Sequence, residues 1–333
     1  MDFTKTACFD LKGSSNHRCS VKNLSEREMP GTGPDLSGYP LLAKKGCPEK
    51  SPPKSKNPTN ATEGLSRNEV FPELLTEVFG QNNYFYYPET DSTNNLARTL
   101  ASGGYPEGTV VVAEMQTAGR GRSGRSWYSP AKQGIYLSII LRPAMPLREI
   151  SRISLLAAVA VAETLEEMGL QPCIKWPNDI LISNRKIAGI LAEAIMRMDN
   201  VQYLILGIGL NINNRIEDFP GGFITPPTSA LAESDCNYSR SQILQVLLWR
   251  LEYHYKQMLE GRFAQTLEKA KSMSIVIGRE ISLDTINGVV AGRAVDLDDN
   301  GFLLVRDQKG VINTVMSGEI FLPHSDIDKL REY

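Results

Sequence analysis

Histidine and cysteine are scarce in this 333-residue chain, and their scarcity narrows the chemistry before any motif is considered. The histidines, His17, His254 and His324, fall near the amino terminus, on an amphipathic stretch and near the carboxyl end. No Ser-His-Asp or Cys-His nucleophilic site can be drawn through them. The cysteines, Cys8, Cys19, Cys47, Cys173 and Cys236, are odd in number and form no Cys-x-x-Cys pair, which argues against a disulfide scaffold and a zinc ribbon. His17 beside Cys19 lacks the tightly spaced further ligands of structural zinc. No run reaches the roughly 18 consecutive apolar residues of a membrane-spanning helix. Met1-Asp2-Phe3-Thr4-Lys5 lacks the charged-then-apolar order of a secretory signal, and Asp2, Asp10, Glu26 and Glu28 weigh against a transit peptide. Charge of either sign is not in excess: 36 basic against 38 acidic residues give a formal charge of -2. No global field therefore points to nucleic acid or an anionic membrane, and any basic site must be local. A Gly-x-x-x-x-Gly-Lys-Ser/Thr loop is missing, so a P-loop kinase or ATPase is unsupported. These absences leave a cytoplasmic enzyme as the expectation.

What is present divides the chain. Residues 1–66 are rich in Ser, Pro, Gly, Lys and Asn, show no periodicity, and read as a disordered polar segment; a helix-turn-helix cannot be drawn through so many prolines. From Phe71 the texture turns to ordered structure, with residues 67–272 as one catalytic domain. Leu74, Leu75, Val78 and Phe79 have helical spacing, and Asp91-Ser92-Thr93 resembles a cap on a helix containing Leu96, Ala97 and Leu100. Thr109 to Glu114, Gly134 to Arg142, Cys173 to Trp176 and Tyr203 to Ile212 read as strands, with a helix from about Ile150 to Met168. Ile180 to Ser183 and Ile187 to Ile195 flank the turn Asn184-Arg185 as a hairpin, and Ser241 to Glu260 is a helix striped by Leu244, Leu247, Leu248 and Leu251. Residues 273–325 show short alternating runs broken by Asn287-Gly288, Asn300-Gly301 and Lys309-Gly310, the pattern of a small β-barrel.

Local basic character concentrates between Gln116 and Arg125, where Gly119, Arg120, Gly121, Arg122, Gly124 and Arg125 follow an apolar strand. Glycines let backbone N–H groups approach an anion, and arginines supply planar forks matched to phosphate and carboxylate oxygens. Gly119-x-Gly121-x-x-Gly124 also fits a dinucleotide fingerprint, but that motif must open a helix, and Ser126-Trp127-Tyr128-Ser129-Pro130 follows instead. A solvated turn or an RNA-binding Arg-Gly segment is the other reading of these residues alone. Lys175-Trp176-Pro177-Asn178-Asp179, at a strand end, can hold a phosphate oxygen and a magnesium ion, or be a surface ion pair. Lys186 sits at a hairpin mouth ahead of Ala188 and Gly189, and Gly207 to Asn213 ends a strand in glycines and an amide that could read a base edge or pack a turn.

These segments, in this order and preceded by Asp91-Ser92-Thr93-Asn94, resemble the biotin protein ligases, also called biotin-[acetyl-CoA-carboxylase] ligases or holocarboxylase synthetases. The likeness spans roughly residues 84–322 and ends in Met316-Ser317-Gly318-Glu319-Ile320. It implies an α+β fold: a mixed-sheet catalytic domain of the biotin/lipoate ligase type, resembling class II synthetases, with a C-terminal SH3-like barrel. It assigns Ser92, Thr93 and Asn94 to the biotin head-group pocket, and Gln116, Gly119, Arg120, Gly121, Arg122, Lys186 and Gly189 to biotin and biotinyl-AMP. Arg125, Lys175, Asn178, Asp179, Gly207 and Asn211 fall to the nucleotide side, Asp179 as a magnesium ligand, with Trp127 in a loop-packing or adenine-side role, and Lys186, Arg120, Arg122 and Lys175 carry the catalytic roles. Biotin, ATP and Mg²⁺ are the implied small molecules; a biotin carboxyl carrier domain is the acceptor, with a homodimer among the assemblies and neither membrane nor nucleic acid as partner. The competing activities are a lipoate or octanoate ligase of the same superfamily and, in another class, a nucleic-acid-binding regulator. Glycines and few apolar anchors predict that the arginine loop is mobile when empty and closes over the adenylate.

Overall fold

A computed structural model describes residues 76–81, 83–197 and 200–321. The expectations for residues 1–66, for Leu74 and Leu75, and for His324 lie outside those residues.

Seven strands form the catalytic sheet: β1 (Tyr84–Tyr87), β2 (Val110–Ala113), β3 (Gly134–Leu141), β4 (Cys173–Lys175), β5 (Asp179–Ile182), β6 (Arg185–Arg197) and β7 (Asn200–Asn211), in the spatial order β1-β2-β3-β7-β6-β5-β4. The first pair is parallel and the others are antiparallel, so the sheet is mixed. Five helices accompany it: α1 (Thr93–Ser102), α2 (Ile150–Glu167), α3 (Ala230–Ser234), α4 (Arg240–Leu259) and α5 (Phe263–Ser272).

Strand alternation sorts side chains between the two faces. Val110, Val112, Leu137, Ile139, Leu206 and Ile208 join the large core with α2, α4 and α5, while Val111, Ile140, Tyr203 and Ile205 meet Ala97 and Ala101 of α1 in a smaller cluster. On that smaller face β7 passes from Tyr203 and Ile205 to Gly207 and Gly209, and Gly189 of β6 pairs with Gly209. Deleting side chains at these alternate positions uncovers the backbone beside α1. That bare patch becomes the floor of the site.

Helix α2 has 11 of its 18 residues buried, with Ala157, Ala158, Ala160 and Ala162 letting neighbours close in. A helix apolar nearly all round belongs in the middle of a fold, and α2 packs against β5, β6, α4 and α5. Helix α4 buries Leu244, Leu247, Leu248 and Leu251, the stripe expected from sequence.

The C-terminal strands β8 (Glu280–Thr285), β9 (Gly288–Leu297), β10 (Leu303–Arg306), β11 (Ile312–Val315) and β12 (Glu319–Phe321) form an antiparallel SH3-like unit in the order β11-β10-β9-β8-β12. The Asn-Gly and Lys-Gly signals fall at its hairpin connections. Its Asn300-Gly301 turn docks on the catalytic domain: Ser151 Oγ donates to the Asn300 carbonyl at 2.6 Å, and Trp176 Nε1 to the Gly301 carbonyl at 2.9 Å. Gly301 has φ 79°, and an added Cβ would lie 3.0 Å from Leu155 Cδ2.

Several local expectations are corrected. Val78 and Phe79 are not helical; their amides donate to the Glu252 carboxylate at 2.8 and 3.0 Å, and Phe79 enters the core against Tyr255. Burial of Phe79, rather than helical propensity, fixes that segment. The hairpin turn is one residue earlier than expected: Ser183 and Asn184 have φ of 49° and 60°, and Arg185 already opens β6. Strand β1 and helix α5 carried too short a pattern to be read from sequence.

Candidate active site

The glycine floor, the start of α1 and the arginine loop enclose a cleft of about 820 Å³. All the residues singled out from sequence line it, from Ser92, Thr93 and Asn94 through the loop to Lys175, Lys186 and Asn211. Five cationic side chains, Arg120, Arg122, Arg125, Lys175 and Lys186, face only Asp179 and Glu319 as carboxylates in the lining. A chain with nearly balanced charge has thus gathered a local positive field, the arrangement that draws an anionic ligand.

At one end, β3 and α1 form a polar pocket. Ser92 is the residue preceding α1, but its side chain caps nothing; Asp91 Oδ1 accepts from the Ser92 amide at 2.6 Å, and Asp91 Oδ2 from Asn95 Nδ2 at 2.7 Å. Thr93 donates its amide to Gln116 Oε1 at 2.9 Å, and Asn94 Oδ1 accepts from the Ser138 hydroxyl at 2.6 Å. Glycine is required opposite Asn94, because a Cβ at Gly207 would sit 2.1 Å from Asn94 Oδ1. Polar groups so fully paired are fixed in orientation, as a pocket recognising a polar ring needs.

The loop from Gln116 to Ser129 is bound at several points. Gly121 donates its amide to the Arg125 carbonyl at 2.7 Å, and Trp127 to the Gly119 carbonyl at 2.8 Å. No α-helix follows the glycines; Arg122–Gly124 is a single tight turn with Ser123 at φ 54°, which disposes of the dinucleotide fold. Trp127 packs the loop onto the sheet, one of the two roles expected of it. Its indole lies over the glycines, where a Cβ at Gly209 would be 2.3 Å from Trp127 Nε1 and one at Gly189 3.0 Å from its ring. Lys186 Nζ stands 5.5 Å from the same ring centroid, within range of a cation–π attraction.

The other end gathers Lys175, Asn178, Asp179 and Lys186 because β4, β5 and β6 are consecutive antiparallel strands. Lys186 Nζ pairs with Asp179 Oδ1 at 2.7 Å. Burial pushes the Lys175 ammonium below the usual lysine range, the Asp179 charge opposing that shift and Lys186 adding to it. Burial likewise lowers Arg122, although a guanidinium stays charged at neutral pH. Arg122 donates to Asn178 Oδ1 at 2.9 Å and to Ser317 Oγ at 2.8 Å, and Arg125 to Glu319 Oε1 at 2.5 Å. Arg120 turns the other way, to Asn95 Oδ1 at 2.8 Å and Glu193 Oε1 at 2.7 Å. Asn211 lines the cleft and donates its Nδ2 to the Thr228 carbonyl at 2.9 Å.

Sequence reading missed three contributors. Phe219, Pro220 and Phe223 line the cleft from a loop after β7, with Phe219 tilted against Tyr128 and edge-to-face with Phe223 at centroid distances of 5.9 and 6.2 Å. The Phe-Pro-Gly-Gly-Phe run was the available signal. Glu319 reaches the cleft from the barrel, and Glu193 holds Arg120 from beneath.

The sequence matches the family model Biotin/lipoate A/B protein ligase family over residues 86–211, and Biotin protein ligase C terminal domain over residues 276–322. It is 40% identical over 259 residues to the bifunctional ligase/repressor BirA of Bacillus spizizenii, covering 78% of this chain and 79% of that protein. With the biotin–[acetyl-CoA-carboxylase] ligase of Mycobacterium tuberculosis it shares 33% identity over 70% of this chain and 86% of that one. Among solved structures, the Aquifex aeolicus biotin protein ligase in complex with biotin and ATP superposes with a TM-score of 0.62 at 31% identity, covering 73% of this chain and 99% of that one. A sheet floored by glycines, an arginine loop closed over it and a small barrel at its edge therefore coincide with sustained sequence identity, and this chain belongs to the biotin protein ligase family.

Proposed function

We propose that the cleft activates biotin with ATP to biotinyl-5′-AMP and then passes the biotinyl group to a lysine on the biotin carboxyl carrier domain of a carboxylase. The observation that carries this reading is the meeting of Lys175, Lys186 and the arginine loop on one cleft whose other end is an uncharged, fully paired polar pocket. Such a cleft suits a ligand with a neutral polar ring at one end and an acid to be activated at the other.

In the first step a carboxylate oxygen attacks the α-phosphorus of ATP, the new P–O bond forms, and pyrophosphate leaves with the electrons of the broken bond. Both reactants are anionic. Lys186, Lys175 and Arg122 offset their repulsion and stabilise the charge that builds on the phosphoryl oxygens, a contribution that can reach several kcal/mol in a water-poor site. In the second step a neutral ε-amine attacks the acyl carbon, loses its proton and expels AMP. No enzyme nucleophile is needed, in keeping with the buried position of His254, which is engaged by Thr266 and Glu163 at 2.9 and 3.0 Å.

Among the described residues no group of His, Cys, Asp and Glu could hold a metal ion alone. Asp179 would instead hold a magnesium ion that arrives on the triphosphate, since Mg²⁺ commonly takes one or two protein carboxylates and the rest from phosphates and water. Bound there, it would neutralise phosphate charge. Phe219, Phe223 and Trp127 form the apolar wall suited to an adenine ring. The neutral pocket built by Asn94, Ser138 and Thr93 favours a ureido ring over the plain dithiolane of lipoate. Among the described residues no helix is long and apolar enough to cross a membrane.

The test is direct. The protein is incubated with ATP, Mg²⁺ and either biotin or lipoate, with and without a carrier domain, and the carrier is weighed by mass spectrometry. A biotinyl mass increment dependent on ATP is the expected result; a lipoyl increment alone, or none, overturns the assignment.

A further inference from the structure

Glu193 is not among the cleft residues, yet its carboxylate bonds two of them, Asn94 at the start of α1 and Arg120 on the loop. It stands on β6 with 17% of its side chain exposed, directly across from Ile205 and therefore on the face that carries the glycine floor. Oε1 accepts from Arg98 Nη2 at 2.8 Å and Arg120 Nη2 at 2.7 Å, and Oε2 accepts from Asn94 Nδ2 at 2.9 Å. Three donors, one on the loop and two on α1, thus converge on one charge. Bonds to a charged acceptor are about twice as strong as neutral ones.

The consequence runs through the site. Asn94, held through its NH₂, can only present its oxygen to Ser138, whose Oγ lies 2.6 Å away and also 2.8 Å from Thr93 Oγ1. Thr93 bonds Gln116 Oε1, Gln116 Nε2 donates to Ser129 Oγ at 2.8 Å, and Ser129 Oγ donates to the Trp127 carbonyl at 3.1 Å. The chain of contacts therefore starts and ends on the same loop: Arg120 at one end, Trp127 at the other, with Glu193 as the charged member. The link between them is short, because Gly119 accepts from the Trp127 amide.

We propose that Glu193 is a positioning residue for the ligase reaction: its carboxylate latches the arginine loop through Arg120 and, through the same contact set, fixes the orientation of the Asn94 carboxamide at the pocket floor. This rests on the proposed biotin-ligase function for its kinetic meaning, but its structural content can be read in the unliganded protein. Glu193→Gln keeps the size but offers one carbonyl oxygen: turned to Asn94 it leaves an NH₂ facing the two guanidinium groups, and turned to the guanidinium groups it is a neutral acceptor that leaves Asn94 Nδ2 against an NH₂.

The test is amide hydrogen exchange of the full chain without ligand, followed at Gly121 and Trp127, with the amides of β3 and β7 as an internal check that the sheet is intact. We expect at least tenfold faster exchange at both loop amides in Glu193→Gln, the same acceleration in the more exposed Arg120→Gln, no further acceleration in the double variant, and partial recovery in Glu193→Asp. Loop exchange equal to that of the unsubstituted protein in Glu193→Gln, or additive accelerations in the double variant, would overturn the latch. Enzyme assays supply a second readout: Glu193→Gln should raise KM for biotin several-fold and leave KM for ATP nearly unchanged. Equal changes in both constants, with unaltered loop exchange, would mark the residue as merely structural. Failure of the unsubstituted protein to form biotinyl-AMP would instead strike the functional reading, leaving the exchange result to decide the latch by itself.

Discussion

Lys175 is held in surroundings that penalise its charge, and that has a measurable sign. Burial lowers its pKa, so it loses its proton at a lower pH than a solvated lysine. If the charged form is the one that steadies phosphate, adenylation should fall on the alkaline side earlier than ordinary lysine titration would give. Lys175→Arg, which stays protonated, should move that fall upward in a pH profile of pyrophosphate release; an unshifted profile would remove Lys175 from the charge-stabilising role. Lys186 makes a complementary prediction. Its Nζ is shared between Asp179 and the face of Trp127, so Lys186→Ala removes a cation aimed at developing charge and should cost about 10²-fold or more in adenylation rate, measured by single turnover. Gly207→Ala drives a methyl into Asn94. Biotin affinity should fall by tenfold or more, while ATP affinity, read by titration calorimetry, changes little.

Among the elements, the arginine loop and its supports should govern retention of the intermediate if the proposed reaction holds. Arg122 spans the two domains by bonding Asn178 on one side and Ser317 on the other. Arg122→Gly deletes both contacts and adds backbone freedom, so biotinyl-AMP should escape and biotinylate lysines of bystander proteins indiscriminately, detectable by streptavidin blotting; retained adenylate in that variant defeats the closing-loop idea. Helix α2 carries the scaffold beneath. Leu156 is 1% exposed in the large core, and Leu156→Ala should cost about 2 to 5 kcal/mol of stability in denaturant melts. The expected mobility of the empty loop rests on its glycines and few apolar anchors, and the contacts made by Trp127, Arg120 and Arg122 are what hydrogen exchange would weigh against it. Residues far apart in sequence supply its anchors.

For the whole molecule, ligand binding and domain docking meet at one place. The barrel reaches the cleft through Ser317 and Glu319 and is braced to α2 and Trp176 by its Asn300-Gly301 turn. A ligand that closes the loop should therefore stabilise both domains together. Biotin alone, at about 100 times its dissociation constant, should add about 2.7 kcal/mol and raise Tm by roughly 5 to 10 °C in one cooperative transition. Separate transitions, with only the first moving, would show that the docking is weaker than the contacts suggest.

The sequence by itself determined the chemistry: Gly119 to Arg125, Lys175 to Asp179 and Lys186 are contiguous patterns whose residue types state what they can bind, and the strong strand and helix periodicities placed them on elements. The glycine floor was written there too, as Gly207 and Gly209 two apart on one strand. Only the tertiary structure decided how these pieces share their charges. Arg120 belongs to Glu193, Arg125 to Glu319 and Lys186 to Asp179, and each pairing joins residues from different elements. Pairing of that kind depends on which strand lies beside which and on which face a side chain leaves the sheet. Those are properties of the β3-β7-β6-β5 order and, for Arg125, of the docking of the C-terminal sheet, which a local pattern does not encode because the free energy that sets them comes from the shared core.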